Sequence, residues 1–496
     1  MTAPRGLVQR ASSNLLEQPR RAPPFTIGAR RAAEGSIIML NGVAAAENEN
    51  SVPRLNLSNV KWKYRGEGNA NLVIALPNER CIVRLRKVDK CKLVRHSEAD
   101  RYSEAQRLRQ EVAFYHKVMI PLLGSCFLKQ SVVYRLDKEQ VQKISQILQN
   151  QRPAHRNHKD VFCAADLVAV YPDYTLLPES LTDQVGGTST FCVEIKPKQG
   201  WIHPEDRIMP KCTYCMKQYL KLKNKSISRL SDYCPLDLYS GNKQRMKDAI
   251  QALLVSPQNN LKIFKDGYLI YGEGEKTNLL DVLRCWFGPK NKLAEHQVLL
   301  ETFCNLVIES LCREIPDSST LERLRSALLS EEKREANGSP RDSLCRQVNS
   351  LWQPVCDWNR QPLPPNCILG RILAVQMLEV PRSQVDLKVH DAFPFLDGDE
   401  YLTPVQRYLL AATAKDCSVL LSFQQTSQER VDILPPRHVI HETISQQSFV
   451  FNIGVSDLDP KPLSCIEKHR KRDLEMLMAM LELTSCNKQP AKRDID

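Results

Sequence analysis

The sequence predicts a mixed α/β protein of the α+β type, in which a strand-rich N-terminal part precedes a larger, mostly helical part. Three observations lead to this fold class. Short β-patterned segments flank a Gly-x-Gly turn between residues 62 and 87, helical periodicity covers residues 97–115 and most of 202–330, and isolated apolar strands follow. With 496 residues, 42% of them hydrophobic and 25% charged, the chain can bury sizeable cores in about two to three domains.

The formal net charge of +12 favours an anionic partner, whether nucleic acid, an anionic lipid surface or a polyphosphate. Aromatic residues make up only 6% and no basic stretch is interleaved with them, so we expect no nucleic-acid partner. The 17 cysteines lack the dense spacing of a disulfide framework, which indicates a reducing compartment, cytoplasm or nucleus. No apolar run approaches the roughly 18 residues that span a bilayer, so we expect no membrane insertion. We also expect a monomer.

Three segments are predicted to lie outside the folded core. Residues 1–50 are rich in Arg, Ala and Ser and poor in acidic residues, which resembles a transit peptide weakly. A disordered N-terminal extension, or an uncertain start of the gene, is the favoured interpretation. Residues 330–366 are polar and contain prolines, which indicates a flexible insertion, and residues 471–496 are interpreted as a C-terminal tail.

A glycine-rich hairpin is the first predicted element. Residues 62–65 read as a strand, Gly66 and Gly68 form the turn, and the chain returns as a strand that ends at Leu76. The tip of such a hairpin offers free backbone N–H groups that can cover phosphates. Residues 81–87 form the next strand, with Arg84 at its middle, where a basic side chain can pair with a phosphate.

Further elements follow in order. Periodicity over residues 97–115 would place Ala99, Tyr102, Ala105, Leu108, Val112 and Tyr115 on one helical face, with Pro121 and Gly124 as stop signals. The other predicted helices are residues 138–150, most of 202–330 with breaks at Pro235, Gly241 and Pro257, 405–414, and a helix from Cys465. The other predicted strands are residues 167–172, 261–264, 268–271, 417–423 and 449–455.

The segment EIKPK at residues 194–198 is the centre of the functional prediction. Residues 191–195 read as a strand that Pro197 ends, because proline fixes φ and removes a ladder donor. Glu194, Lys196 and Lys198 then share one face by the period of two, and Gly200 allows a ligand or backbone to approach closely. This arrangement suits an anion with several phosphates. An exposed strand end with solvated lysines is the alternative.

Three aspartates stand at predicted strand ends. Asp416 lies at the entry to the strand 417–423, where the alternative is a plain helix-to-strand turn. Asp457 and Asp459 follow the strand 449–455 in the segment DLDPKP, which also contains Lys461. Carboxylates at such a place can hold Mg²⁺, which prefers one or two carboxylates together with substrate phosphates. An acidic turn is the alternative.

Two further groups carry weaker signals. Cys212 and Cys215 have the spacing of zinc ligands and could be joined by Cys234 and His203, but a second close pair is missing, which favours free cysteines. Residues 259–260 are two asparagines, which read either as a turn or as paired amides that contact substrate hydroxyl and phosphate groups.

Together these motifs resemble the inositol-pentakisphosphate 2-kinase family. The resemblance extends from about residue 60 to 470, and its blocks appear in family order. They are RGEGNANLV at 65–73, PLLG at 121–124, EIKPK at 194–198, CPLDLYSG at 234–241, QNNLK at 258–262, TAKDCS at 413–418 and DLDPKP at 457–462. Each block alone is weak evidence, and their combination is highly specific.

The resemblance implies a two-lobed inositol-phosphate kinase fold, distantly similar to protein kinases. Residues 51–168 would form a smaller N-terminal lobe that contains the glycine-rich hairpin, and residues 169–470 a larger, mostly helical C-terminal lobe. The strand 167–172 would then lead into the hinge between them. The implied reaction transfers the γ-phosphoryl group of ATP to the 2-hydroxyl of inositol 1,3,4,5,6-pentakisphosphate, which gives inositol hexakisphosphate. A non-catalytic inositol-polyphosphate scaffold is the alternative, against which the presence of both Asp416 and Asp457 argues.

The resemblance also assigns roles to residues. Asp416 would orient the 2-hydroxyl and accept its proton with Lys198 beside it, and Asp457 would bind Mg²⁺. The residues assigned to ATP are Arg65, Gly68, Asn69, Ala70, Asn71, Arg84, Lys196, Lys262 and Asp457. The residues assigned to the inositol phosphates are Arg156, Lys198, Lys217, Lys221, Asn259, Asn260 and Lys461.

The chain departs from the family pattern at three positions. Thr213 stands where the family usually has Arg, so a bidentate cation is lost there. Lys217 replaces a usual His and keeps a cation, and Pro460 replaces a usual Leu next to the predicted metal ligand. The departures at Thr213 and Lys217 bear on the affinity for the substrate and on positional preference, whereas Pro460 would stiffen the turn that carries the metal ligand.

Overall fold

The computed structural model describes residues 52–90, 98–163, 166–182, 188–288, 295–316, 361–364, 366–381, 384–385 and 402–486. The predictions for residues 1–50, for most of 330–366 and for the last ten residues lie outside this part of the chain. Within it, the α+β class is confirmed, because helices alternate with two separate and largely antiparallel sheets.

The first sheet contains seven strands from the N-terminal part of the chain. They are β1 Arg54–Leu55, β2 Lys63–Glu67, β3 Asn71–Leu76, β4 Cys81–Asp89, β5 Val132–Leu136, β6 Lys159–Val161 and β7 Leu167–Pro172. The strand order is β1-β5-β7-β4-β3-β2, and β6 pairs with β4. The predicted hairpin is therefore confirmed as β2 and β3, and the predicted strand with Arg84 as β4.

Alternation along β4 separates a core face from a polar face. Cys81, Val83 and Leu85 are buried, whereas Arg84 and Arg86 point to the opposite side. This is the period of two that a half-buried strand requires. The helix α3, Lys138–Leu148, packs on the core face with Val141, Ile144 and Leu148, as its periodicity predicts.

The predicted helix at 97–115 is present as α1, Glu98–Phe114, but it does not stop where expected. A π-helical turn at Tyr115–Met119 continues it into α2, Ile120–Leu123. Pro121 lies in the first turn of α2, where a missing N–H costs little, and Gly124 ends the helix with φ of 101°. The predicted apolar face was wrong at Tyr102, whose surface is 66% exposed.

The second sheet contains six antiparallel strands from distant parts of the sequence. They are β8 Phe191–Ile195, β9 Leu261–Lys265, β10 Tyr268–Tyr271, β11 Ser418–Thr426, β12 Val439–Glu442 and β13 Gln447–Ser456. The order is β10-β9-β8-β11-β13-β12, so β8 lies between β9 and β11. All five strands predicted in this region are confirmed.

Most helices of the second part pack around this sheet. They are α4 Thr213–Lys223, α5 Pro235–Leu238, α6 Lys243–Val255, α7 Leu279–Phe287, α8 Glu295–Cys312, α9 Ile368–Gln376, α10 Pro404–Ala414, α11 Gln428–Val431 and α12 Ser464–Cys486. The predicted helix 405–414 is confirmed as α10, which begins with a capping box between Thr403 and Gln406. Trp286 stacks on Phe191 and so joins α7 to the sheet.

Helix α12 pairs with α4 and contains residues 471–486, which the sequence analysis had placed in a C-terminal tail. Met216 and Tyr219 of α4 share a buried cluster with Met476, Leu477 and Met480 of α12. Lys223 and Glu482 form an ion pair of 2.6 Å between the same helices. Among the described residues, no helix is long and apolar enough to cross a membrane.

Candidate active site

Antiparallel pairing brings four strand ends to one edge of the second sheet. Ile195 at the end of β8 is paired with Leu261 at the start of β9, and with Val419 near the start of β11. Ser418 is paired in turn with Ser456 at the end of β13. The charged segments that follow β8 and β13, and that precede β11, must therefore lie together at this edge.

Asp416 lies between two ammonium groups at this edge. Lys198 Nζ is 3.2 Å from its Oδ1, and Lys461 Nζ is 2.7 Å from its Oδ2. Burial acts to raise the pKa of Asp416, but Lys198 and Lys461 hold it well below its usual range. The carboxyl group is therefore ionised at neutral pH, and its side chain remains 54% exposed, open to a ligand.

Asp457 is the second carboxylate of the site. Lys196 Nζ is 2.7 Å from its Oδ2, and the Ser418 hydroxyl lies 3.0 Å from the same oxygen. Burial would raise the pKa of Asp457, but Lys196 and Arg84 lower it to about 2. Asp457 and Lys198 both have φ of 61°, a left-handed conformation that costs a non-glycine residue about 1–2 kcal/mol. The neighbouring contacts hold both residues in place.

The predicted shared face of Glu194, Lys196 and Lys198 is confirmed. Glu194 lies 3.3 Å from Lys262 Nζ and 3.1 Å from the Ser418 hydroxyl, while the two lysines reach the two aspartates. Burial would lower the pKa of Lys196, but Asp457 and Glu194 raise it. The strand end therefore forms a row of alternating charges rather than a set of solvated lysines.

A buried glutamine fixes the backbone on both sides of Asp416 and Lys198. Gln376, at the end of α9, accepts the Gly200 N–H at 2.7 Å and donates to the carbonyl groups of Lys198, at 2.9 Å, and Ala414, at 3.3 Å. A Cβ at Gly200 would come within 2.3 Å of the Tyr239 ring. Residue 200 must therefore be glycine because the Tyr239 ring leaves no room for a side chain. The close approach of a ligand, which the sequence analysis considered, is not needed to explain this glycine.

Arg84 connects the first sheet to this edge. Its guanidinium donates to Asp459 Oδ1 at 2.8 Å, lies 3.9 Å from Asp457, and lies over the Tyr171 ring. Asp459 was noted in the sequence only as a second carboxylate of its turn, and the structure makes it the partner of Arg84. A basic side chain from β4 thus reaches the carboxylates that follow β13.

Arg65 does not join this group. Its guanidinium contacts the Asp173 carboxylate and the carbonyl of Gly267 instead. In the turn that follows, the Gly68 N–H donates to Asn71 and the Ala70 carbonyl accepts from the Lys87 N–H. A Cβ at Gly68 would meet no atom within 4 Å, so the space beside the turn is open.

A buried ionic cluster lies directly behind the glycine-rich turn. Glu67 contacts Lys87, and it accepts two hydrogen bonds from Arg152, at 2.9 and 3.0 Å; all three side chains are 1% exposed. Arg152 also donates to the carbonyl groups of Arg156, at 3.2 Å, and Lys159, at 2.7 Å. The cluster therefore ties the turn to the loop that carries Arg156. No local sequence pattern indicated this cluster.

A group of cations that outnumbers the acids around it lies close to Asp416. Lys217 and Lys221 are four residues apart on α4, and Arg472 approaches Lys217 from α12. Burial lowers the pKa of Lys217 to about 8, with Arg472, Lys198 and Lys221 adding to the effect. Burial also lowers the pKa of Lys221. In the described part of the chain, Lys217 has no hydrogen bond or ion pair. Such a concentration of positive charge fits a polyanion.

The two predicted asparagines have different environments. Asn259 is exposed beside the strand ends, where it is free to contact a ligand. Asn260 is buried. Its side-chain amide donates to the Tyr214 hydroxyl at 2.8 Å, and its backbone carbonyl accepts the Lys196 N–H. The structure therefore brings Asn259 to the surface of the site and gives Asn260 a structural position below it.

Comparison with known proteins identifies the family. The family model described as inositol-pentakisphosphate 2-kinase matches residues 64–475. The chain is 33% identical over 485 residues to an inositol-pentakisphosphate 2-kinase of Danio rerio, covering 85% of this chain and 93% of the relative. It is 29% identical over 459 residues to the protein of the same name in Arabidopsis thaliana, covering 84% and 92%. These matches confirm the resemblance found in the motifs and identify an enzyme of the kinase type. The chain belongs to the inositol-pentakisphosphate 2-kinase family.

Proposed function

We propose that this enzyme transfers the γ-phosphoryl group of ATP to the 2-hydroxyl of inositol 1,3,4,5,6-pentakisphosphate and forms inositol hexakisphosphate. One observation carries the proposal: an ionised, half-exposed Asp416 is held between Lys198 and Lys461, next to a second ionised carboxylate, Asp457. Phosphoryl transfer needs a positioned nucleophile and charge stabilisation more than covalent chemistry. The edge of the second sheet offers a carboxylate that can position the acceptor hydroxyl and cations that can stabilise the charge.

The cations beside Asp416 match the charge of the acceptor. Five phosphate groups of about −1.5 to −2 each give the pentakisphosphate roughly −8 to −10 at neutral pH. Lys198 and Lys461 are both paired with the single carboxylate of Asp416. Lys217 lies close enough to Lys198, Lys221 and Arg472 for their charges to lower its pKa, so positive charge exceeds negative charge around it. An anion with five phosphate groups would neutralise these cations. A substrate with a single phosphate group carries too little negative charge to do so.

Asp416 is the group that we assign to the acceptor hydroxyl. A hydroxyl of the inositol ring is a very weak acid, and a carboxylate within hydrogen-bond distance orients it and takes its proton as the new bond forms. The 2-hydroxyl is the one axial hydroxyl of this ring. A carboxylate fixed at a strand entry therefore meets it from a direction that its equatorial neighbours do not share, while the lysines set the register of the ring.

ATP would lie between the glycine-rich turn and the edge of the second sheet. The space beside Gly68 is open. Arg84, Lys196 and Lys262 would present cations to the phosphate groups. Arg84 and Lys196 are paired with carboxylates here, so phosphates would have to share these cations with Asp457 and Asp459.

The residues present also fit Mg²⁺. Asp457 and Asp459 are hard oxygen donors, and their side chains are 45% and 42% exposed. Because the pKa of Asp457 is about 2, its carboxylate is available as a ligand at neutral pH. When bound, the ion would neutralise charge on the transferring phosphoryl group. Lys196 and Arg84 would keep the carboxylates oriented for it.

The Asp416→Asn variant tests this assignment. It keeps the shape of the side chain but cannot accept a proton, so kcat should fall on the order of 10²-fold or more. Binding of the pentakisphosphate, measured by calorimetric titration, should change much less, because the cations are intact. The matched variant Lys221→Ala should show the opposite split, with a raised KM and a nearly unchanged kcat.

Products would be separated by anion exchange after incubation with ATP, Mg²⁺ and the pentakisphosphate. A normal single-turnover rate for Asp416→Asn at saturating substrate would remove Asp416 from the chemistry. Absence of a hexakisphosphate product from the wild-type enzyme, with tight pentakisphosphate binding retained, would favour the non-catalytic scaffold.

A further inference from the structure

Helices α4 and α12 lie side by side and run in the same direction. Arg472 of α12 is close to Lys217 of α4, and further along both helices Lys223 forms its 2.6 Å ion pair with Glu482. The buried cluster that contains Met216 and Met476 holds the two helices together. The alignment of α12 on α4 is therefore set by both apolar packing and an ion pair.

This alignment places Arg472 at the level of residue 213. Lys223 lies ten residues after Thr213, and Glu482 lies ten residues after Arg472. Because an α-helix rises 1.5 Å per residue, counting back from the ion pair moves the same distance, about 15 Å, along each helix. Arg472 is also four residues before Met476, so both side chains lie on the face of α12 that packs on α4.

Arg472 is a half-buried cation that lacks a partner of opposite charge. In the described ranges of the chain its guanidinium makes no hydrogen bond or ion pair, and its position on α12 is half-buried. Its charge lowers the pKa of Lys217 more strongly than the charge of Lys198 or Lys221 does. Two like charges at this distance repel each other in the free enzyme, and an anion between them would turn the repulsion into attraction.

We propose that Arg472 binds a phosphate group of the inositol substrate, in the role of the arginine that the family pattern places at residue 213. The inference rests on the proposed function, because it concerns the same acceptor. A guanidinium offers two parallel N–H donors to phosphate oxygens, which the single hydroxyl of Thr213 cannot do. Since Arg472 lies at the level of Thr213, its cation reaches the same part of the site from the neighbouring helix.

Calorimetric titration of Arg472→Ala with inositol 1,3,4,5,6-pentakisphosphate is the first test. Loss of a charge-assisted contact should weaken binding roughly 10- to 100-fold. The matched control is Lys471→Ala, which removes the same charge from the next residue of α12, where the side chain is exposed. This control should bind the pentakisphosphate almost as the wild-type enzyme does. An equal loss of affinity in both variants would show that only the overall charge matters, and would overturn the proposal.

Returning an arginine to α4 separates a role in binding from a role in folding. Thr213→Arg, introduced together with Arg472→Ala, should restore most of the affinity, because the guanidinium is again at the same level of the site. A residue that only supports the packing of α12 would not be replaced in this way. Failure of the double variant to regain affinity, with both proteins folded, would contradict the proposal.

Substrates that each lack one phosphate identify the group that Arg472 contacts. Wild-type enzyme and Arg472→Ala should bind one of these inositol tetrakisphosphates with equal affinity, whereas the variant should remain weaker for the others. A uniform loss for all of them would mean that Arg472 acts only through the long-range field. If Arg472→Ala does not fold, Arg472→Lys keeps the charge and the alkyl stem but loses the paired donors. Unchanged binding by Arg472→Lys would then overturn the proposal.

These measurements concern binding alone, so they stand apart from the test of the reaction. Absence of a hexakisphosphate product from the wild-type enzyme would reject the proposed function and leave the assignment of Arg472 to a phosphate intact. Normal product formation together with wild-type affinity in Arg472→Ala would reject the assignment of Arg472 and leave the proposed function intact.

Discussion

The pKa of Lys217 gives the most quantitative prediction for this enzyme. With a pKa of about 8, this lysine is charged in about nine-tenths of the free molecules at pH 7 and in about one-tenth at pH 9. Only the charged form attracts a phosphate, because loss of the proton leaves a neutral amine. If binding requires the charged form, KM for the pentakisphosphate should therefore rise about tenfold between these two pH values. Steady-state kinetics at constant ionic strength would measure this rise.

The Lys217→Arg variant is the matched control. A guanidinium keeps its charge throughout this range, so the part of the rise due to residue 217 should disappear. Titration of Lys198, Lys221 or the substrate phosphates would affect both enzymes alike and cancel in the ratio of their KM values. An equal rise in both enzymes would refute the reasoning, as would a wild-type KM that stays constant from pH 7 to pH 9.

Three further predictions concern Asp457, Arg152 and residues 1–50. Asp457→Asn should abolish product formation but leave pentakisphosphate binding nearly unchanged by calorimetry; turnover near the wild-type rate would exclude it as the metal ligand. Arg152→Met leaves the Glu67 carboxylate with Lys87 as its remaining charged partner, so urea denaturation should show a loss of about 3–5 kcal/mol in the free energy of unfolding. An unchanged midpoint would contradict this. Deletion of residues 1–50, which lie outside the family match, should leave kcat and KM unchanged, and a large loss of activity in the soluble truncated enzyme would contradict it.

Local sequence patterns predicted the strands of this fold better than their arrangement. The hairpin of β2 and β3 was predictable because its glycine turn and its two strands are adjacent in the chain. The pairing of β8 with β11 joins residues more than 200 positions apart, and no local pattern specifies it. β5 was missed although its signal was present: Val132, Tyr134 and Leu136 alternate as buried residues along five positions.

Prediction of the site was likewise limited to residues that are close together in the sequence. Glu194, Lys196 and Lys198 could be grouped because a strand places alternate residues on one face, and each indeed reaches the site. Gln376 could not be found in this way. Its side chain acts on backbone atoms of Lys198 and Ala414, and a glutamine within an apolar helix gives no indication of such partners. Residues that hold a site through backbone contacts depend on tertiary structure alone.

The departure at Thr213 shows why the charge of the site must be judged from all side chains that are close in space, and not from one sequence motif. Within α4 the chain lacks the arginine that the family pattern would place there, and the motif alone suggested a weaker site for phosphate. Arg472 approaches Lys217 from the neighbouring helix α12, whose position on α4 is fixed by the Met216 and Met476 packing. A phosphate responds to the field of all nearby cations, whichever segment supplies them. A guanidinium is therefore still present beside Lys217, about 260 residues further along the sequence than the motif would place it.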